Sequence, residues 1–181
     1  MYPGCTLTRL MLLADRLAIA AIALVLIAPK AARAQASPND PDSLVLERTA
    51  CLGTCPVYRL SLRRDGSVVF EDRPTSSEVR RATGTSLPGG WAHLLKQIER
   101  VRFFDLPEEI IQDRGLCSVA ITDAPSGILS VFHRGSVKRV KHYHGCAVEI
   151  DPWTVAPTLR ELSLLAAAVD SVGRVNVWLS P

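Results

Sequence analysis

The chain reads as an α+β protein, a single domain in which an antiparallel β-sheet carries two amphipathic helices. Three observations predict this. Apolar and polar residues alternate over 58–63 ahead of Asp65-Gly66, the signature of a half-exposed strand entering a hairpin, and a second hairpin is read around Arg134-Gly135. Trp91, Leu94, Leu95, Ile98 and Val101 recur at helical spacing, as do Leu159, Leu162, Ala166 and Val169. Each half of the chain therefore runs strands, a glycine-centred hairpin, then a helix.

The elements follow in order. Residues 17–28, LAIAAIALVLIA, form an uncharged apolar run, the length of a signal-peptide core and short of the roughly 20 residues that span a membrane. Arg9 and Arg16 precede it and Ala32-Arg33-Ala34 follows it, so residues 1–34 are expected to be a signal peptide cleaved after Ala34. An uncleaved N-terminal membrane anchor is the competing reading, because the leading segment is long and contains Asp15. Residues 35–43 are polar and proline-punctuated, a disordered lead-in. The folded domain is then expected over 44–179. Residues 44–49 and 58–63 read as strands, and Asp65-Gly66 as a two-residue type I′ turn leading to a return strand over 67–71. A further strand is expected over 78–86, and a helix over 88–102 whose apolar stripe covers one sheet face. Phe103, Phe104 and Leu106 continue it as buried connection. Residues 128–133 and 136–143 form the second hairpin. Pro157 suits the first turn of the closing helix and Gly173 its C-terminal stop, with an edge strand over 174–179.

Charge excludes one class of partner. The 181 residues hold 21 basic and 18 acidic side chains, a net charge of +3. Residues 1–34 remove four of the basic and one of the acidic groups, so the mature chain carries 17 of each and is neutral. A clustered basic face for nucleic acid is not indicated. No membrane span remains after cleavage, and the protein is expected to be periplasmic or secreted.

Cys5 leaves with the signal, which leaves Cys51, Cys55, Cys117 and Cys146. An even count in an exported chain points to disulfides, with three pairings possible. Cys51–Cys55 and Cys117–Cys146 are the expected pairs. Gly53 lets the short loop fold back, and the second hairpin's register brings Cys146 towards Cys117. The chain-entropy cost removed is about 2 kcal/mol for the short loop and roughly 3.5 kcal/mol for the long one.

Two groups of residues could carry chemistry. Cys51-x-x-x-Cys55-Pro56 resembles the copper-binding motif of thioredoxin-fold copper-delivery proteins. There the motif opens a helix, whereas here Pro56 leads into an alternating strand, so a structural disulfide is favoured. In the second group, His142, His144 and Cys146 project to one face of a strand. With His133 opposite Ser136, the register extrapolates to His144 opposite Pro125 and Cys146 opposite Asp123. Asp123, His142 and His144 are thus a candidate ligand or metal site, a chemically reasonable set for zinc or copper. No hydrolase, P-loop or dinucleotide fingerprint is present, and neither a catalytic residue nor a cofactor is assigned.

The motif Cys51-x-Gly53-x-Cys55-Pro56-x-Tyr58, with Asp123-x-Pro125 and KRVKHYHGC over 138–146, resembles an uncharacterised bacterial family of exported domains of unknown function. The likeness covers residues 44–179 and implies a small exported α+β domain without implying an activity. The expectation is a non-enzymatic binding or structural module whose partner is an unidentified envelope protein or ligand. The alternative is a metal-handling protein using His142, His144 and Asp123, or the Cys51/Cys55 pair if reduced.

Overall fold

A computed structural model describes residues 40–74, 78–113, 115–147 and 156–179. The expected signal peptide and residues 35–39 of the lead-in lie outside them.

Alternation builds the sheet. In β2 (Tyr58–Arg63), Tyr58, Leu60 and Leu62 are buried while Arg59, Ser61 and Arg63 are not. The same period runs through β3 (Ser67–Asp72) and β4 (Arg80–Thr85), whereas the interior strand β1 (Ser43–Arg48) buries Leu44, Val45 and Leu46 in succession. β6 (Ser126–His133) and β7 (Ser136–Tyr143) form the second hairpin. The order is β4-β3-β2-β1-β6-β7, antiparallel throughout, so the strand that opens the domain lies inside the sheet. Asp40–Asp42, the last of the lead-in, is tied to this framework: Asp42 N donates to Phe132 O, and the Arg64 guanidinium donates to the Asp40 and Pro41 carbonyls.

One sheet face carries the helices. α1 (Gly90–Arg100) buries Leu94 and Ile98, and α2 (Pro157–Val172) buries Leu159, Leu162, Leu165, Ala166, Val169 and Val172. They share a core with Leu44, Leu46, Leu60, Leu62, Val68, Phe70, Leu129, Val131 and Val140. The opposite face carries a rung of alternating charge, Arg81–Glu71–Arg59–Glu47, each opposite the next across adjacent strands. Arg59 pairs with Glu47 at 3.1 Å and Arg81 with Glu71 at 3.6 Å.

Three local expectations are corrected. The first hairpin is not a two-residue type I′ turn. Gly66 alone has positive φ (86°), Gly66 N closes on Arg63 O, and Asp65 Oδ1 accepts from Ser67 N, which makes a three-residue loop. The two-residue form occurs instead at Arg134-Gly135, where both φ angles are positive. Gly173 ends α2 with φ −78°, and Arg174 takes the left-handed turn at 58°. Gly173 is required by space: a Cβ there would lie 2.6 Å from Leu60 Cδ2. Residues 175–179 form not an edge strand but a short helix, α3 (Val175–Leu179), which lays Trp178 over Phe70 and Gly84 while Trp178 Nε1 donates to Gly173 O. Phe104, expected inside, is exposed; Phe103 fills the core and packs edge-on against it.

Candidate functional site

Cross-strand register sets the site. Tyr58, Arg48, Gly127 and His142 stand opposite one another on β2, β1, β6 and β7, so they share the helix-covered face at one end of the sheet. Gly127 supplies no side chain, and Arg48 reaches across it. A Cβ at Gly127 would lie 3.2 Å from both Arg48 Nη1 and His144 Nε2. α2 brings Asp170 to the same end.

The contacts form one polar network. Arg48 Nη2 donates to Asp170 Oδ2 at 2.7 Å, and the Tyr58 hydroxyl donates to Asp170 Oδ1 at 2.6 Å. Arg48 Nη1 lies 3.2 Å from His144 Nε2. A guanidinium only donates, so Nε2 accepts and the proton of the neutral ring sits on Nδ1. The His142 and His144 rings stack with centroids 4.8 Å apart.

Electrostatics hold these groups in fixed protonation states. Burial opposes the charge on Arg48, but the Asp170 carboxylate and the Tyr58 hydroxyl outweigh it and raise the guanidinium above its ordinary value. Burial, then the Asp170 contact, raises the Tyr58 phenol. Burial lowers His142 to about 4, helped by the neighbouring His144 and Arg48. Burial and Arg48 also lower His144, against an opposing pull from Asp170. At neutral pH both rings are uncharged, and the network acts as a clamp joining β1, β2, α2 and the turn after β7.

Two disulfides close the loops at this end. Cys51–Cys55 follows β1, and Cys117–Cys146 joins the segments that carry β5 (Val119–Ala120) and β8 (Cys146–Ala147). Both pairs are those expected. Backbone bonds knit the loops together: Leu52 N to Asp123 O, Thr49 N to Ser126 O, His144 N to Pro125 O and Ile121 N to Gly145 O. Tyr143 adds its hydroxyl, which accepts from Ala124 N and donates to Ile121 O.

His144 meets Pro125 as the register implies, but Cys146 faces Ala120 and not Asp123, because residues 121–125 leave the ladder as a turn with Asp123 at φ 69°. The structure therefore brings His142 and His144 together and leaves Asp123 exposed, with Asp170 as the carboxylate acting on His144. Among the described residues, no group of three or more His, Cys, Asp and Glu is arranged to hold a metal ion. Sequence reasoning missed Arg48 and Asp170. One signal was available for Asp170: an acid in the last turn of an apolar helix opposes the helix dipole and calls for a cation. Arg48, at the end of an apolar strand, is that cation.

No helix among the described residues is long and apolar enough to cross a membrane. No curated protein matches the chain. The profile of DUF6438, a domain of unknown function, matches residues 42–161, from β1 into the first turns of α2, including all four disulfide cysteines. That span is well over half of the chain, which belongs to the DUF6438 family.

Proposed function

We propose that this protein is an exported module, periplasmic or secreted, that binds an envelope partner through the disulfide-clamped end of its sheet. Residues 1–34 are its signal peptide, and a single domain over 44–179 does the binding. Two closed disulfides fit an oxidising compartment.

One observation carries the reading. Both disulfides and the Arg48–Asp170–Tyr58–His144 clamp rigidify loops that hold apolar side chains in solvent: Leu52 is 81% exposed inside the Cys51–Cys55 ring, and Ile121 is 54% exposed two residues from the Asp123 carbonyl that anchors Leu52 N. Rigid presentation of exposed apolar groups lowers the ordering cost of binding. The test is a photo-crosslinking residue at position 52 in the full chain, with position 137 at the far end of β7 as control. A discrete adduct from position 52, weakened by Ile121→Asp and absent from position 137, is expected. Identical patterns from both positions would refute the reading.

A further inference from the structure

The two disulfides differ in their access to solvent. Cys117 and Cys146 are each 5% exposed inside the core cluster. Cys51 and Cys55 are half-buried and close a ring whose intervening residues, Leu52, Gly53 and Thr54, are all exposed. Beside this ring runs a shallow groove of about 480 Å³, lined by Cys55, Pro56, Val57, Asp72, Pro74 and Leu179 among others. Cys55 faces the groove, and Cys51 is not part of its lining. Cys51 instead sits on the anchored side, where Thr49 N and Leu52 N are bonded to Ser126 O and Asp123 O.

We propose that Cys51–Cys55 is a thiol-exchange site, opened from the groove by attack on Cys55. The occupant is an extended segment of a partner that carries two thiols with apolar residues around the attacking one. The lining selects it: Pro56, Val57, Pro74 and Leu179 are apolar, and the Asp72 carboxylate is engaged by Arg80. The donor thiolate attacks Cys55 Sγ, the disulfide bond breaks, and its electron pair leaves on Cys51, which takes a proton from water. The donor's second thiolate then attacks the donor sulfur of the mixed disulfide and releases Cys55 as a thiol. The donor ends as a disulfide, and this chain has gained two electrons and two protons. Opening frees residues 53–56, including Gly53 at φ 123°, while Val57 O keeps its bond from Arg73 N and the anchored side keeps its own. The reshaped loop changes what the end of the sheet presents.

The inference rests on the exported reading only for the closed starting state, and its test does not depend on any docking partner. The full chain, purified with both disulfides closed, is titrated with dithiothreitol, quenched with a maleimide and mapped by mass spectrometry. Cys51 and Cys55 are expected to be labelled at least tenfold faster than Cys117 and Cys146, with an unchanged near-ultraviolet dichroism spectrum. Labelling of all four together, or of Cys117 and Cys146 first, would overturn the site. Glutathione, rapidly quenched, should form its mixed disulfide on Cys55, and Leu179→Glu should slow this anionic thiol at least threefold without slowing neutral dithiothreitol. Adducts on Cys51, or equal glutathione rates in the two proteins, would overturn attack from the groove.

Discussion

Arg48 Nη2 and Asp170 Oδ2 are 2.7 Å apart, so the last residue of β1 and the last turn of α2 are joined across 122 positions of sequence. Tyr58 shares the same carboxylate. The helix layer is thereby fastened to the end of the sheet where both disulfides lie.

Asp170→Asn tests that fastening. Breaking a buried ion pair costs about 3–5 kcal/mol, and partial solvent access at 18% and 24% exposed side chains screens this to about 2 kcal/mol. Tyr58→Phe removes one hydrogen bond and should cost about 1 kcal/mol. Urea unfolding midpoints measure both. A shift for Asp170→Asn within about 0.5 kcal/mol of zero would mean that the clamp contributes no stability.

Acid should loosen the same end. His142 titrates near 4 in the folded chain and near 6.5 when unfolded, so the unfolded state binds more protons between those values. The contribution is fully present above pH 6.5 and is lost as pH falls towards 4, a total of about 3 kcal/mol. His144 is lowered too and acts in the same direction. Stability measured from pH 7 to 4 in the parent and in His142→Gln gives the difference. The variant should show the shallower fall, and parallel curves would contradict the assignment.

Much of this architecture was legible before the structure. A period-two run marked β2, turn glycines marked the two hairpins, and helical spacing marked α1 and α2, where burial of one face enforces the pattern. Cysteine count and spacing favoured the two disulfide pairs that form. What escaped depended on packing between distant segments. Arg174–Leu179 was expected as an edge strand, yet Trp178 packs onto Phe70 and Gly84 and the segment coils into α3. Asp123 was placed with the histidines by extending a ladder that stops at Ser126–Tyr143. Asp170 lies 26 positions beyond His144, on an element whose docking angle no local pattern encodes.

Gly145 should be irreplaceable by packing alone. A Cβ there would lie 2.6 Å from Tyr143 Cε1 and closer still to the Ile121 carbonyl, which leaves the turn between β7 and β8 no room to yield. Gly145→Ala is expected to cost about 1–3 kcal/mol and to disturb the Tyr143 hydroxyl bonds to Ile121 and Ala124. Thermal melts and the near-ultraviolet tyrosine signal check this, and an unchanged melt would contradict the close approach.

The disulfides should contribute unequally. Replacing Cys117 and Cys146 by Ala opens a loop with a sequence separation of 29, worth roughly 3.5 kcal/mol, against about 2 kcal/mol for the separation of 4 between Cys51 and Cys55. Denaturation of the two double variants at pH 7 ranks them. The reverse order would show that the short ring, and not the buried bridge, holds this end together.

The central claim is that this is an exported module, closed by two disulfides at its binding end. Intact-mass and peptide-mapping spectrometry of the protein recovered from the cell exterior tests it most directly. The account predicts a chain beginning at Gln35 with a closed Cys117–Cys146 bridge and Cys51 linked to Cys55 wherever those two are oxidised. Recovery of a chain that retains residues 1–34, or one with free thiols at Cys117 and Cys146, would contradict it.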